Sequence, residues 1–540
     1  MTDQARPRTV LLRGGEVHTP ADPFATAMVV EGGSVAWVGT EGAADSFADG
    51  VDEVIHLEGA LVTPAFTDAH VHTTATGLAL TGLDLTPAHS LADALSRIRA
   101  YAAARPTDRV LLGQGWDETT WPEGRPPSRA EVDAATGGRP LYASRVDAHS
   151  AVVTTSLADL VTGLAGRHGF AGEAPLTSDA HHAVRNAAYA ALAPTQMAEA
   201  RRAARARAAE LGIGALHECA GPDISGEDDF TELLRLAAEE PGPRVIGYWG
   251  ELVTGPKDVE RVRALGAHGA AGDLCADGSV GSHTAHLTAP YADGSGTGNQ
   301  YLDAAAIAAH VQACTEAGLQ AGFHAIGDGA VRDVVAGVRS AAEALGLDRV
   351  RALRHRVEHA EMLTPDTIAG FAELALTASV QPGFDAAWGG AADMYAQRLG
   401  AERAATLNPF AALLRAGVPL AFGSDAPVTP LDPWGAIRAA AFHRTAEHRI
   451  SVRAAFAAHT RGGWRAAGRD DAGVLVPGAP ADYAVWETGE LIVQVPDDRV
   501  ANWSTDPRSG TPGLPDVGPE ARLPVCRRTV LGGETVYAAP

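Results

Sequence analysis

The sequence predicts an α/β protein: a TIM-like (β/α)8 barrel, a small β-sandwich formed by both chain ends, and an insertion after the first barrel strand. Three observations predict this fold. Short β-prone runs punctuated by glycine occupy both ends of the chain, and eight apolar runs alternate with Ala-rich helical stretches between them. The first of these apolar runs ends at Ala69 and the second begins only at Ile213. Eight β–α units close into a parallel barrel inside a ring of helices.

The two chain ends carry similar short strands. Near the start the predicted strands are 9–13, 27–31, 35–38 and 53–56, and near the end they are 483–486, 491–495 and 528–537. Because chain termini often lie close together, we expect residues 1–60 and 468–540 to form one sandwich. Two separate β appendages are the alternative.

The barrel is predicted over 61–467. Its eight strands are the apolar runs 60–69, 213–219, 244–250, 271–277, 320–324, 354–359, 375–381 and 418–425. Helical spacing of apolar residues is clear in 197–211, 304–317, 330–345 and 401–416. The segment 84–205 holds Trp-, Pro- and Gly-rich sequence together with helices, so we expect it to lie as an insertion over the barrel mouth.

Composition excludes several function classes. The 540 residues carry a formal net charge of -23, with 66 acidic against 43 basic residues, which disfavours binding to nucleic acid. No basic helix and no uninterrupted apolar run of about 18 residues appears, so no membrane association is expected. The four cysteines are widely spaced and form no Cys-x-x-Cys pair, which fits a reducing cytoplasm. A small-molecule substrate is the partner that remains.

Histidines and aspartates end several predicted strands, where barrel enzymes place their reactive groups. His70 and His72 lie two apart on the first strand, so both imidazoles point into the barrel and can chelate zinc or a similar ion. His324, His359 and Asp425 end the fifth, sixth and eighth strands. With 20 histidines in the chain, one His-x-His pair is a weak signal, but the joint pattern is strong.

This set of residues predicts metal-assisted hydrolysis. A divalent ion lowers the pKa of a bound water to about 7, and a neighbouring carboxylate can carry a proton to the leaving group. The ion and a histidine polarise the carbonyl under attack. Such a site suits an amide, imide or other C–N bond. The sequence lacks a Gly-x-Ser-x-Gly motif, a P-loop and a Gly-x-Gly-x-x-Gly motif.

Seven motifs in a fixed order identify a known family. They are TPAFTDAHVH (63–72), GWDE (115–118), RVDAHS (145–150), ADGSVGS (276–282), HAIGD (324–328), RVEH (356–359) and GSD (423–425). In these motifs the chain resembles the amidohydrolase superfamily, in its YtcJ-like or amidohydrolase family 3 branch, which includes N-substituted formamide deformylases. The resemblance covers nearly the whole chain.

The resemblance implies roles for individual residues and a possible homodimer. It assigns the metal and catalytic positions to His70, His72, His324, His359 and Asp425. Residues Trp116, Asp117 and His149 match positions that the family keeps above the pocket, and we expect Arg145 and His149 to reach a carboxylate or carbonyl of the substrate. Five aromatic side chains near the predicted mouth are candidates for an apolar pocket wall: Trp116, Trp121, Trp249, Phe384 and Trp388.

One departure from the family concerns the fourth strand. Many members have a lysine there, modified to a carbamate that bridges two metals, whereas this chain has Asp273. The aspartate carboxyl lies about four covalent bonds closer to the backbone, so it cannot bridge at the same place without a backbone shift. The only lysine of the chain, Lys257, follows Gly-Pro at the predicted start of a helix. A carboxylated lysine is therefore excluded.

Two metal arrangements follow. In the favoured one, His359 polarises the substrate and a single divalent ion, expected to be Zn²⁺, is held by four side chains: His70, His72, His324 and Asp425. In the other, Asp273 helps to retain a second ion, with Cys275 or Glu218 as further candidate ligands.

We therefore expect a metal-dependent amidohydrolase that cleaves an amide, formamide or cyclic amide of a small molecule, with Asp425 as general base and acid. A metal-dependent lyase or isomerase on the same barrel is an alternative, because fold does not determine reaction. A catalytically inactive ligand-binding relative is another, which the intact set of histidines and Asp425 disfavours.

Overall fold

The computed structural model describes residues 8–494, 503–504 and 512–540. Its first six strands lie outside the barrel: β1 (Thr9–Arg13), β2 (Glu16–Val17), β3 (Ala27–Glu31), β4 (Ser34–Gly39), β5 (Glu53–His56) and β6 (Leu61–Pro64). Strands β4, β3, β1 and β5 form one sheet in that order. Strands β2 and β6 pair with each other and belong to a second sheet that the end of the chain completes.

The barrel begins with β7 (Phe66–Val71) and is then interrupted by an insertion with its own sheet. That sheet contains β8 (Leu83–Asp84), β9 (Leu111–Trp116), β10 (Leu141–Arg145), β11 (Ser150–Val153) and β12 (Leu176–Thr177). The barrel resumes with β13 (Ile213–Ala220), β14 (Arg244–Trp249), β15 (Gly269–Ala270), β16 (Gln320–Ala325), β17 (Arg356–His359), β18 (Thr377–Val380) and β19 (Leu420–Phe422).

The eight barrel strands are parallel and follow one another around the sheet in chain order. A parallel bridge between Val71 and Ala426 connects the last strand region back to the first. The predicted barrel and the insertion after its first strand are therefore confirmed. The carboxyl ends of the eight strands all lie at one end of the barrel, and the insertion lies at that end.

The remaining strands come from the end of the chain: β20 (Tyr483–Glu487), β21 (Leu491–Gln494), β22 (Trp503–Ser504), β23 (Leu514–Pro515), β24 (Val525–Leu531) and β25 (Glu534–Ala538). Strand β20 pairs antiparallel with both β6 and β24, so the two chain ends share one sheet. Side chains of the two end sheets pack in one apolar cluster that includes Leu12, Met28, Val62 and Tyr483. The predicted sandwich built from both ends is confirmed.

Helices cover the barrel and the insertion. A short helix, α1 (Glu41–Ala44), precedes them between β4 and β5. The helices of the insertion are α2 (Thr73–Thr81), α3 (Leu91–Ala104), α4 (Arg129–Thr136), α5 (Thr155–Ala158), α6 (Ser178–Ala190) and α7 (Pro194–Glu210). Those that follow are α8 (Glu227–Glu239), α9 (Pro256–Ala264), α10 (Ala304–Ala317), α11 (Asp328–Leu345), α12 (Leu347–Ala352), α13 (Pro365–Leu374), α14 (Pro382–Trp388), α15 (Met394–Leu399), α16 (Ala401–Ala404), α17 (Phe410–Arg415), α18 (Pro433–Ala441), α19 (Val452–Ala457) and α20 (Gly463–Ala466). In the described ranges, no helix combines the length and the apolar character that crossing a bilayer requires.

The predicted runs 60–69 and 528–537 need correction. The run 60–69 is two strands, because the chain passes from the sandwich into the barrel at Ala65. The amide of Ala65 donates to Asp482 O in the sandwich, and the amide of the next residue, Phe66, donates to Gly212 O at the start of the barrel. The run 528–537 is a hairpin that turns at Gly532-Gly533, where φ is 57° and 81°. Residue 495 of the predicted strand 491–495 lies outside the described residues.

The predicted helix 401–416 is also wrong. Two shorter helices, α16 and α17, take its place. Pro409 has no amide hydrogen and restricts the residue before it, and that residue, Asn408, has φ 55°.

The junction between insertion, barrel and sandwich depends on Gly212. This residue links α7 to β13 with φ +72°, and a Cβ there would overlap the indole ring of Trp486. Trp486 is buried, and its Nε1 donates to Thr63 Oγ1 at 2.8 Å. Its ring also contacts Phe66 and Trp434, with ring centroids 5.6 Å away in each case.

We predict that Gly212→Ala lowers the free energy of unfolding by about 3 kcal/mol, because it combines a left-handed backbone with overpacking. The matched control is Gly59→Ala, where φ is +82° but a Cβ would meet open space. That variant should lose only about 1 kcal/mol. Denaturant unfolding of both variants measures the difference, and equal losses would show that Trp486 does not limit this position.

Candidate metal centre and active site

Six ionisable side chains converge where the barrel strands end. They are His70 and His72 at the end of β7, Asp273 after β15, His324 on β16, His359 on β17 and Asp425 after β19. All except His70 line a cavity of about 1070 Å³, a volume that includes its opening to solvent. The insertion forms the opposite wall. The structure therefore brings together every metal-site residue that the sequence singled out.

The Asp273 carboxylate lies among four imidazoles. Its Oδ2 is 3.1 Å from His72 Nε2, and its Oδ1 is 3.4 Å from His70 Nε2. The same Oδ1 is 3.5 Å from His324 Nδ1 and 3.8 Å from His359 Nε2. No other carboxylate in the described part of the chain contacts all four of these histidines.

Asp425 completes one side of the cluster. Its Oδ1 lies 3.1 Å from His72 Nε2 and 3.4 Å from His70 Nε2. The donor atoms of this trio lie within 4.8 Å of one another, as do those of His70, Asp273 and His359. His324 belongs to neither trio. His324 contacts the cluster through Asp273 Oδ1, and the four-residue set favoured by the sequence stays a prediction.

The donor set fits a divalent ion. Two ligand atoms that each lie about 2.1 Å from a zinc ion at a tetrahedral angle are about 3.4 Å apart, which matches most of these contacts. Four of the buried donor atoms have no hydrogen-bond partner: His70 Nε2, His359 Nε2, Asp273 Oδ1 and Asp425 Oδ1. Since buried polar atoms are normally paired, these four atoms are suited to bind a cation.

Neighbouring groups hold three of the imidazoles by their other nitrogen. His70 Nδ1 lies 2.9 Å from Glu358 Oε2, and His359 Nδ1 lies 2.9 Å from Gln381 Oε1. His324 Nε2 is 3.3 Å from the carbonyl oxygen of Gly278. Each of these nitrogens is the donor, because its partner is an oxygen acceptor, so the free nitrogen of each ring faces the cluster.

Electrostatics keep the carboxylates charged. Burial opposes ionisation of Asp273 and Asp425, but the adjacent histidines outweigh it and hold both pKa values below the usual range. Burial likewise opposes the charged form of His72, but Asp273 and Asp425 raise its pKa to about 10. Glu358 is fully buried, and the guanidinium of Arg356 together with His70 lowers its pKa to about 2. The cluster therefore presents anionic oxygens to a bound cation.

The backbone at the fourth strand explains how an aspartate reaches the centre. The predicted strand 271–277 is wrong, since β15 ends at Ala270. Pairing with β16 resumes at Cys275, so the chain advances from Ala270 to Cys275 while its partner advances only from Ala321 to His324. Two extra residues form a bulge, with Gly272 at φ +80°. This is the backbone shift that a short side chain requires.

Two site residues have a left-handed backbone. The φ angle is 68° at His359 and 55° at Asp425, where side chains other than glycine are uncommon. Asp425 N donates to His70 O at 2.8 Å, and Asp68 Oδ1 accepts from Ser424 N at 2.9 Å. These bonds connect the end of the first strand to the end of the eighth, which holds Asp425 beside His70 and His72.

The two further candidate ligands, Cys275 and Glu218, make hydrogen bonds to backbone atoms instead. Cys275 lines the cavity, but its Sγ donates to Asp273 O, 3.5 Å away. Glu218 Oε2 accepts from Thr73 N at 2.7 Å, and burial raises the pKa of this carboxyl to about 7. Neither residue belongs to a trio of metal-binding atoms in the described chain.

Three of the four predicted substrate-binding residues do not reach the cavity. Arg145 is buried with all three guanidinium nitrogens occupied, by Glu118 at 2.9 Å, Asp147 at 3.0 Å and Asp117 at 2.9 Å. Trp116 packs in the core of the insertion and donates from Nε1 to Ala143 O at 2.9 Å. The motif that suggested substrate contacts is instead a buried ion-pair network within the insertion.

His149 does line the cavity, with its ring centroid 5.2 Å from that of His324. Burial lowers the pKa of His149 to about 4, with a further contribution from His324. Of the five aromatic candidates, Phe384 and Trp388 line a smaller adjoining cavity of about 320 Å³. Trp121 and Trp249 lie in apolar cores.

Sequence reasoning missed two residues of the site. Gln381 orients His359, and its only sequence signal is its place at the end of the seventh strand run. Arg185, on α6 of the insertion, lines the cavity. Nearly all of the 43 basic residues are arginines, so nothing in the sequence marks this one.

Comparisons with known proteins agree with this geometry. The profile of the amidohydrolase family matches residues 53–537. The chain is 28% identical to the protein LONG AFTER FAR-RED 3 of Arabidopsis thaliana over 89% of this chain and 87% of the relative. It is 24% identical to the putative amidohydrolase YtcJ of Bacillus subtilis (strain 168) over 80% of this chain and 83% of the relative.

Among solved structures, an uncharacterized metal-dependent hydrolase from Pyrococcus furiosus superposes with a TM-score of 0.69. The two chains are 25% identical, and the match covers 88% of this chain and 98% of the other. The family resemblance inferred from the motifs is confirmed.

We predict that Glu358→Gln weakens divalent-metal binding by about 10- to 100-fold, because a neutral amide no longer increases the basicity of His70. Competition with a chromogenic chelator measures this affinity. Glu361→Gln is the matched control, since Glu361 is also buried after β17 but accepts its hydrogen bond from Tyr395. Equal losses in the two variants would contradict a specific role for Glu358.

Proposed function

The chain belongs to the amidohydrolase family and is therefore a hydrolase, and we propose that it cleaves a C–N bond of a small molecule with the help of a divalent metal. The bond belongs to an amide, a formamide or a cyclic amide. The observation that carries this proposal is the Asp273 carboxylate within 3.1–3.8 Å of four imidazoles on the wall of a cavity of ligand size.

We further propose that Asp273 serves two adjacent metal positions. One position would be held by Asp273 with three residues, His70, His72 and Asp425. The other would be held by Asp273 with His324 and His359. Imidazole and carboxylate ligands suit Zn²⁺. The single-ion arrangement favoured by the sequence is less consistent with the contacts that Asp273 makes to both groups.

A bound divalent ion would supply polarisation of the scissile carbonyl and a water whose pKa is near neutrality. Asp425 lies beside the candidate metal position, and it lines both the main cavity and the adjoining one. Its Oδ1 faces His70 and His72, which leaves Oδ2 to accept a proton and return it to the leaving nitrogen. His149, on the insertion side, is positioned to donate a hydrogen bond to the substrate.

The first test concerns metal content. We expect purified, metal-loaded protein to contain close to two equivalents of divalent ion by elemental analysis, and Asp273→Asn to lose both. Asp385→Asn is the control, since Asp385 is a buried aspartate that accepts from Arg444 N at 2.8 Å, away from the metal-site residues. One equivalent in the wild type, unchanged in Asp273→Asn, would overturn the shared-ligand proposal.

The second test concerns the proton carrier. Asp425→Asn should lower kcat by about 10²- to 10⁴-fold while the protein stays folded. The assay follows release of amine or carboxylate from formamides, N-acyl amino acids, hydantoins and lactams, with metal content measured on the same preparation. Full activity in the variant would remove Asp425 from this role. If metal-replete wild type hydrolyses none of these compounds but decarboxylates or isomerises an acid, the proposal of C–N bond hydrolysis is wrong.

A further inference from the structure

One buried arginine in the cavity wall has no carboxylate partner within the described part of the chain. Arg185 is only 8% exposed and lies on α6 of the insertion. Its Nη2 donates to the carbonyl oxygen of Asp223, and its buried Nε has no hydrogen-bond partner. A guanidinium has five N–H donors, so most of the hydrogen-bonding capacity of Arg185 is unused in the described structure.

Among the described residues, the four other arginines that are buried as whole residues have partners for their guanidinium groups. Arg145 pairs with three carboxylates, Arg356 with Glu358, and Arg201 with Asp229 at 2.6 Å. Arg205 donates to two carbonyl groups. Burying a charge without an opposite charge is costly, and Arg185, unlike Arg205, lines a cavity that a ligand of opposite charge can enter.

The acidic residues that share the cavity wall already have other partners. Asp147 is paired with Arg145 at 3.0 Å and Asp229 with Arg201. Glu218 accepts from a backbone amide. The remaining two, Asp273 and Asp425, belong to the metal centre. No carboxylate of the described wall is therefore left to neutralise Arg185.

A second buried donor in the same cavity wall is also unpaired among the described residues. Ser225 lines the same cavity, and its buried Oγ has no hydrogen-bond partner. It comes two residues after Asp223, whose carbonyl binds Arg185. The same cavity wall also carries apolar side chains, among them Leu78, Leu83, Leu112 and Val428.

We propose that Arg185, assisted by Ser225, binds a carboxylate group of the substrate. Resting on the proposed function, this inference defines the substrate class: a small amide with an apolar middle and a free carboxylate, whose C–N bond lies at the metal centre while its carboxylate pairs with Arg185. A guanidinium suits this task because its planar N–H groups match the two oxygens of a carboxylate.

The test uses two probes that differ in one group, N-acetyl-DL-leucine and its neutral amide, N-acetyl-DL-leucinamide. Binding to the full chain is measured by calorimetry with metal-depleted protein, so the result does not depend on turnover. We expect the acid to bind the wild type at least 10-fold more tightly than the amide. Arg185→Gln should weaken binding of the acid by about 100-fold and leave the amide unchanged. Arg185→Lys, which keeps the charge, should recover part of the loss.

Arg205→Gln is the matched control, because Arg205 is a buried arginine that donates to the carbonyl groups of Pro243 and Glu240 and does not line the cavity. It should bind the acid as the wild type does, and circular dichroism of all variants checks the fold. Equal binding of the two probes to the wild type would overturn the inference. So would acid binding that Arg185→Gln leaves unchanged.

Turnover by the metal-loaded enzyme separates this inference from the proposed function. If the acid binds through Arg185 but no amide is hydrolysed, the carboxylate site stands and the proposed reaction fails. If neutral amides are hydrolysed as well as acids, and Arg185→Gln has no effect on kcat/KM for either, the reaction stands and the carboxylate site fails.

Discussion

The Asp273 carboxylate and the four imidazoles around it are the interaction on which the active-site end of this barrel depends. A buried carboxylate is stable only beside compensating charge or hydrogen-bond donors. Here the compensating rings come from three strands: His70 and His72 from β7, His324 from β16 and His359 from β17. One side chain therefore links strands that lie far apart around the barrel. A bound divalent ion would take over this linkage, because imidazole and carboxylate groups are also its ligands.

Much of this centre was predictable from sequence, for a physical reason. Residues at the carboxyl ends of parallel strands must meet, so His70, His72, His324, His359 and Asp425 could be grouped once the strands were recognised. The part played by Asp273 could not be predicted in the same way. Its reach depends on a bulge of two residues in the ladder between β15 and β16, and bulges leave no periodic signal.

The insertion was harder to interpret from its sequence. Its motifs around Trp116, Asp117 and Arg145 have the polar and aromatic character of a binding site, yet they form an internal network. That network extends to the barrel, since Ser279 and Ser282 both donate to Asp147, and Arg398 donates to Glu118 at 2.7 Å. Buried and fully paired charges of this kind fix geometry. The insertion is thus held against the barrel mouth by its own ion pairs, so the cavity wall is formed before any substrate binds.

The cavity wall combines the unpaired guanidinium of Arg185 with the candidate metal centre, within a protein of net charge -23. At a distance that net charge repels an anionic substrate, but at physiological ionic strength charges on the surface are screened beyond about 8 Å. Inside the cavity screening is weak, and the fields of the metal centre and of Arg185 act over the distance of a small molecule. Selection of an anionic amide would therefore arise from the unpaired guanidinium in the wall. Its attraction for a carboxylate would exceed the repulsion from the net charge of the protein.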